Sequence, residues 1–366
     1  MIVGLFPGLA SVGGIQMAGR QTAAALSAIA NERGCSCAFL SLNDAKGEHE
    51  VEVGDIRFQF RSFHRNKLLF IISALRLARA RPHIIFAAHP NLAPITAVMG
   101  LLAPQARTIV GAHGIEVWQP LSALRRKALC EADLVLAPSS DTVRKLSSIQ
   151  GVRAERIRRL AWPLDPEFLE LADSVYRLSR PSQFPHGKIV LSIGRWAASE
   201  RYKGADLLIR AVSELTREFP NLHLVFVGTG DDLPRLQELA CATATPNNIH
   251  FISGLCRREL AACYAAADIF ALPSTGEGFG LVFLEAMAFQ KPVIGASFGG
   301  IPDIVEDGVT GILVDPGNSS SLSSAIRSLL FNDALRLKMG LQGAEVVRAR
   351  YSFESFRNAL AGYCGK

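Results

Sequence analysis

No window of this sequence offers ~18 uninterrupted apolar residues, the length a membrane-crossing helix needs. The nearest attempt, Ile84 to Leu102, is broken by His89, Pro90, Asn91 and Pro94, so the chain is expected not to span a bilayer. A secretory leader is not expected either. No basic stretch precedes the first apolar run, and Gly4-Leu5-Phe6-Pro7-Gly8 breaks it at once. Cysteine is sparse and scattered, at positions 35, 37, 130, 241, 256, 263 and 364, with no Cys-x-x-Cys. Cys35 and Cys37 alternate on an expected strand and are too close for a normal disulfide. The pattern argues for reduced thiols in a cytosolic protein and against structural zinc. Low-complexity tracts and short repeats are absent.

Chemistry is also excluded by what is missing. The glycines after the first strand, Gly8, Gly13 and Gly14, lack the Gly-x-Gly-x-x-Gly spacing of a dinucleotide site. No Ser/His/Asp set is recognisable. Asp231-Asp232 is not an Asp-x-Asp, and an N-cap role is expected for Asp231. No metal ligand set and no cofactor are expected, since arginine, lysine and helix dipoles can neutralise an anionic leaving group without a divalent ion.

What is present is length, apolarity and an uneven charge. A chain of 366 residues, at ~100–200 per domain, predicts two domains. A hydrophobic content of 49% supports two full cores. Residues 1–180 carry 22 Lys and Arg against 15 Asp and Glu, and residues 181–366 carry 17 against 18. The whole excess of the formal +6 is therefore in the first half. That suggests a polyanionic partner or an anionic membrane surface for that half; a merely solvated basic face is the alternative. The most basic segment, Arg57 to Arg81, is interleaved with Phe58, Phe60, Phe63 and Phe70, a mixture that suits a membrane interface. An ordinary buried helix over residues 67–80 with a solvated basic rim is the plainer reading.

Apolar strands and helical stretches alternate through both halves. Strands are expected at 1–6, 35–42, 56–60, 83–88, 108–111, 133–137 and 156–162. After a proline-bearing linker at 163–185 they recur at 188–193, 222–227, 249–253, 268–273, 291–295 and 311–314. Helices are expected at 15–30, 67–80, 205–218, over most of 319–350, and at 353–364. This alternation predicts two doubly wound parallel α/β sheets in tandem.

Chemistry-bearing residues gather at strand ends. The densest run is Pro273 to Ala288, a glycine loop that becomes an apolar helix, with Glu277 in the loop and Glu285 in the helix. A strand, a glycine loop and a helix N-terminus make an anion site. Paired hydrolytic carboxylates sit ~5–9.5 Å apart, whereas eight residues at helical rise span up to ~12 Å. The spacing favours two contacts at opposite ends of one long ligand, with the amides of Phe279, Gly280 and Leu281 between them. Arg195 and Lys203 leave the end of a strand in the same half, where they can neutralise a departing diphosphate. A surface ion pair with Glu200 is the alternative. In the first half, Gly13-Gly14 permits close backbone approach, with a plain turn as the alternative, and His113-Gly114 follows a strand end, where such sheets bind ligands, with a structural histidine as the alternative.

Together these residues resemble the retaining glycosyltransferases of family 4, which have the GT-B fold of two Rossmann-like domains facing each other across a cleft. Glu277-Gly-Phe-Gly-Leu-Val-Phe-Leu-Glu285 matches the family's glutamate-x7-glutamate motif. Lys291-Pro-Val-Ile and Gly299-Gly-Ile-Pro-Asp-Ile-Val-Glu-Asp-Gly-Val-Thr-Gly continue the signature. Gly194-Arg195 with Lys203-Gly204, Gly13-Gly14 and His113-Gly114 match the remaining motifs. Arg195 and Lys203 stand about three residues further apart than in many members, Trp162-Pro163-Leu164-Asp165 replaces the commoner Asn-Gly-Val-Asp, and Asp303 stands where glutamate is usual.

The resemblance implies a hexosyl transfer, with retention and without metal, from a UDP- or GDP-sugar to a saccharide or lipid-linked acceptor in bacterial surface polysaccharide or glycolipid synthesis. It implies an acceptor-side domain at 1–163 plus 351–366 and a donor-binding domain at 164–350. Glu277 would contact sugar hydroxyls and Glu285 the ribose. Arg195, Lys203 and the amides of Gly278 to Leu281 would bind the diphosphate. Gly13 and Gly14 would close over it, and His113 would lie near the reacting sugar. The base would be met by backbone near Gly228–Gly230 and Gly254–Cys256. The expected location is cytoplasmic, peripheral on the inner face of the plasma membrane, and no nucleic acid is expected as a partner. An epimerase of similar shape and a non-catalytic nucleotide-sugar-binding protein are the alternatives. A dehydrogenase is disfavoured by the missing fingerprint.

Overall fold

A computed structural model describes residues 1–10 and 13–365. Its contacts divide it into two units, Met1–Pro166 with Tyr351–Lys366, and Glu167–Arg350.

The first unit holds eight strands: β1 (Ile2–Phe6), β2 (Cys37–Ser41), β3 (Gly47–Val53), β4 (Ile56–Ser62), β5 (Ile84–Ala87), β6 (Arg107–Gly111), β7 (Leu134–Ala137) and β8 (Ile157–Arg159). They lie in the order β3-β4-β2-β1-β5-β6-β7-β8. The central runs Ile-Val-Gly-Leu-Phe, Ile-Ile-Phe-Ala and Leu-Val-Leu-Ala are buried along their whole length, as strands covered on both faces must be. The order reverses between β1 and β5, so the loops leaving these two strands bound the crevice where open α/β sheets receive ligands.

Three expectations need correction in this unit. Its sheet is not wholly parallel, because β3 runs antiparallel to β4 at the edge. No strand was expected there: Gly47–Val53 buries only Val53, and its glutamates face arginines of β4 instead (Glu52–Arg57, Glu48–Arg61). The strand expected over 156–162 is shorter, Ile157–Arg159. The helix Lys67–Arg79 is not an ordinary buried helix, because it buries only Phe70, Ala74 and Ala78. The chain's last helix, Phe353–Tyr363, belongs to this unit. Its approach is fixed by the Leu164 amide donating to the Tyr351 carbonyl at 2.8 Å and by Phe356 against Trp162, with ring centroids 5.9 Å apart.

The second unit holds β9 (Lys188–Ile193), β10 (Leu222–Val227), β11 (Ile249–Ile252), β12 (Ile269–Leu272), β13 (Val293–Ala296) and β14 (Gly311–Val314), in the order β11-β10-β9-β12-β13-β14. All neighbours are parallel. Here the order reverses between β9 and β12, which brings Gly194-Arg195 beside the Pro273–Gly280 loop. The helix expected at 205–218 ends at Leu215. Residues 319–350 form two helices, Ser319–Phe331 and Asp333–Arg350. Among the described residues, no helix is long and apolar enough to cross a membrane.

Candidate active site

In the second unit, the loops leaving β9, β10 and β12 interlock. Trp196 donates its amide to the Thr229 carbonyl at 2.8 Å, and Asp232 returns an amide to the Trp196 carbonyl at 3.0 Å. The approach is so close that a Cβ on Gly228 would sit 1.9 Å from the Gly194 carbonyl oxygen. From the other side, the Thr275 amide donates to the Tyr202 carbonyl at 2.8 Å, and the Tyr202 ring lies directly over Gly276. Backbone contacts therefore hold the β9 loop against both neighbours.

This packing brings Arg195, Lys203 and Glu277 together around a residue that the sequence marked only as an alternative partner, Glu200. Glu200 is 8% exposed and bonds both cations. One carboxylate oxygen takes the Arg195 guanidinium, and the other stands 3.1 Å from Lys203 Nζ. The ion pair with Glu200 is thus present, but its carboxylate is buried rather than on the surface. Lys203 folds back over the start of the loop, where a Cβ on Gly194 would lie 3.4 Å from its Nζ. Burial lowers the Lys203 pKa, opposed by the field of Glu277 and reinforced by that of Arg195. Burial likewise raises the Glu277 pKa, and Lys203 opposes the rise. Burial and the charge of Glu277 together raise the Tyr202 phenol. A half-buried carboxylate and a buried ammonium thus share one low-dielectric site, a setting in which ionisable groups often serve function.

The Glu277 carbonyl accepts from the Gly300 amide at 2.9 Å, tying this loop to the next one in the sheet. Gly278 and Phe279 are buried. Gly280 takes a left-handed conformation as N-cap of the helix Leu281–Ala288. Glu285 lies inside that helix and is 6% exposed; it accepts from the Tyr264 hydroxyl at 2.6 Å. Gly254 follows β11 with open space where a side chain would be. The N-cap expectation for Asp231 fails. The residue before the helix Leu233–Cys241 is Asp232, while Asp231 accepts the Ala198 amide at 2.8 Å. Asp232 grips Arg201 and Arg235, anchoring the turn that carries Glu200 and Lys203.

In the first unit, the glycine loop after β1 is fastened by Asp44, which accepts from the Leu9 amide at 2.6 Å, the Ala10 amide at 3.1 Å and the Ser41 hydroxyl at 2.5 Å. Ser11 and Val12 of that loop lie outside the described residues. Gly13 caps the helix Gly14–Glu32, and nothing lies within 4 Å of where a Cβ on Gly14 would point. His113 follows β6. Its Nε2 is 2.7 Å from the Ala88 carbonyl, which fixes the proton there, and its ring stacks on Trp162 at 5.0 Å. Its amide donates to Glu116 at 2.5 Å. His89 stands beside it with ring centroids 5.8 Å apart. Trp162, a departure from the commoner junction sequence, is thus the platform for His113. Sequence reasoning missed Asp44, His89, Glu200 and Tyr264. Only Glu200 carried a signal, its place between two cations. Among the described residues, no group of three or more His, Cys, Asp or Glu is set to hold a metal ion.

Comparison with known proteins adds to this geometry. The family model described as glycosyl transferases group 1 matches residues 178–346, and that described as glycosyltransferase family 4 matches residues 12–168. A GDP-mannose-dependent alpha-(1-6)-phosphatidylinositol monomannoside mannosyltransferase of Mycolicibacterium smegmatis is 33% identical over 262 residues, covering 68% of this chain and 68% of that protein. The chain belongs to glycosyltransferase family 4. Alpha-D-kanosaminyltransferase of Streptomyces kanamyceticus is 29% identical over 68% of this chain and 63% of its own length. With a D-inositol 3-phosphate glycosyltransferase of Corynebacterium jeikeium, the match spans 42% of that protein. Among solved structures, sucrose-phosphate synthase from Thermosynechococcus elongatus superposes with a TM-score of 0.75 at 22% identity, covering 99% of this chain and 97% of that one. Anabaena HepE, solved in complex with UDP, gives 0.74 at 18%, covering 99% of each chain. This family 4 member accordingly has the GT-B architecture of paired Rossmann-like units.

Proposed function

We propose that this glycosyltransferase moves a hexosyl group, with retention and without metal, from a UDP- or GDP-sugar to a lipid-linked or other saccharide acceptor. The observation that carries the reading is the convergence of Arg195, Lys203 and Glu277 where the strand order of the second unit reverses. Breaking the bond between the anomeric carbon and the diphosphate oxygen puts charge on the leaving group. Cations fixed there lower that barrier, and removing one such donor typically costs ~10²–10³-fold. The acceptor hydroxyl attacks the face that the diphosphate leaves, and its proton passes to the departing oxygen, so no covalent enzyme intermediate forms. In this reading Glu277 meets sugar hydroxyls, Glu285 the ribose, and His113 with Gly14 the reacting end. Relatives named for GDP-mannose and a neighbour solved with UDP support a nucleotide-sugar donor. Nucleotide release should be lost in Glu277→Ala and Lys203→Ala; equal release by wild type and both variants would overturn the assignment.

The acceptor side of the reading rests on the first unit's exposed face. The neighbouring helices Lys67–Arg79, Ala93–Leu102 and Ala123–Glu131 present Leu68, Leu101 and Leu124, exposed by 68%, 82% and 68%. Lys67, Arg125, Arg126 and Lys127 lie along the same helices. Apolar side chains flanked by cations suit an anionic bilayer surface, the inner face of the plasma membrane in this reading. Phosphatidylglycerol vesicles should sediment the protein at low salt, and Leu101→Asp should weaken this; failure of wild type to sediment removes the membrane from the proposal.

A further inference from the structure

Glu200 occupies the place that an anionic ligand would take, between the two cations assigned to the diphosphate. Its backbone breaks the turn Ala198–Lys203, with φ −119° and ψ 25°. The two cations it holds differ in freedom. The Arg195 side chain is 71% exposed, whereas that of Lys203 is 13% exposed. An exposed guanidinium exchanges one anion for another at small cost, because an exposed pair is weak. A buried ammonium left without its carboxylate is costly.

We propose that Glu200 is a positioning residue that stands in for the diphosphate, releasing Arg195 to the incoming ligand while keeping Lys203 charged. This rests on the donor-site reading of Arg195 and Lys203. The groups facing Lys203 are Glu200 on its own turn, Glu277 from the β12 loop and Arg195 from the β9 loop; Arg201, Asp206, Asp232 and Arg235 line the same small cavity but pair with one another. Glu277 opposes burial and one like charge without cancelling them, and Glu200 at 3.1 Å is the carboxylate in direct contact with the ammonium. With Glu200 neutralised, only Glu277 remains to hold the proton on Lys203.

The test titrates inorganic pyrophosphate, UDP and GDP into wild type, Glu200→Gln, Glu200→Asp and Lys203→Met from pH 7 to pH 10.5. In Glu200→Gln, Arg195 no longer has a competing carboxylate, so diphosphate binding at pH 7 should tighten by roughly two- to fivefold, the worth of one exposed ion pair. The pH at which binding fails should fall by about one unit or more, and Glu200→Asp should restore much of it. Weaker binding at pH 7 with an unmoved pH limit would mean a merely structural role and would overturn the proposal. If wild type binds none of the three probes, or Lys203→Met binds them equally well, the donor-site reading itself fails.

Discussion

Protonating His89 should cost the first unit stability by an amount that follows from its surroundings. The ring is half-buried after β5, and its Nδ1 accepts the Asn91 amide at 3.1 Å, opening the turn that leads into the helix Ala93–Leu102. A protonated ring has no lone pair for that bond. Burial lowers its pKa from 6.5 to about 4; Glu116 opposes the shift, while His113 and Arg125 add to it. Because the folded value lies below the unfolded one, the unfolded chain binds more protons between them, and stability rises with pH across that window. The contribution is complete above pH 6.5 and is lost as pH falls towards 4. At ~1.36 kcal/mol per unit, the whole is about 3 kcal/mol, and the loss between pH 7.5 and 5.5 about 1 kcal/mol. Native-state hydrogen exchange over β5 and the following helix reads this locally, once corrected for intrinsic rates. Asparagine can cap the same turn without titrating, so His89→Asn should flatten the pH dependence by that amount. Equal slopes in wild type and His89→Asn would refute the reasoning.

Two glycines make opposite predictions. Gly228→Ala forces a methyl into the Gly194 carbonyl at φ +134°; it should destabilise the second unit by about 3 kcal/mol or more, read as a lower urea midpoint. Gly14→Ala meets nothing in a helical position, so the fold should keep or gain up to about 1 kcal/mol, yet nucleotide release should fall by up to about 10²-fold if the position serves a ligand. Tyr264→Phe removes one donor from the buried Glu285 carboxylate and should cost about 1–3 kcal/mol. Donor KM should rise with kcat little changed, and an unaltered KM would separate Glu285 from the donor.

The strands that build both crevices were legible because parallel strands covered on both faces leave contiguous apolar runs, such as Ile-Ile-Phe-Ala in β5. β3 was not, because Gly-Glu-His-Glu-Val-Glu-Val is held by cross-strand charge at an edge rather than by burial. At the site, Glu277 and Glu285 stood out by their glycine and apolar surroundings. Glu200 did not, since its burial depends on a broken turn packed by Asp232, 32 residues onward, and on Tyr202 meeting Gly276, 74 residues onward. Asp44 and His89 escaped for the same reason: each acts by accepting backbone amides, which no side-chain pattern announces.

That division has a physical cause with a bearing on mechanism. Backbone bonds and close approaches too tight for a Cβ form the floor of the second unit's site, as between Gly194 and Gly228. Such a floor reorganises little when a ligand arrives, so the work of its charges is spent on the ligand rather than on rearrangement. Arg195 is the exception, being exposed and held by a single carboxylate oxygen. Lys203, Glu277 and Glu285 carry their burial costs whether or not a ligand is present. A fold selected for stability alone would gain by replacing Glu285 with an apolar side chain in a helix that already buries Phe283, Leu284, Ala286 and Met287. In the proposed function a polar ligand offsets that cost, and the Tyr264 hydroxyl holds the carboxylate in place for it.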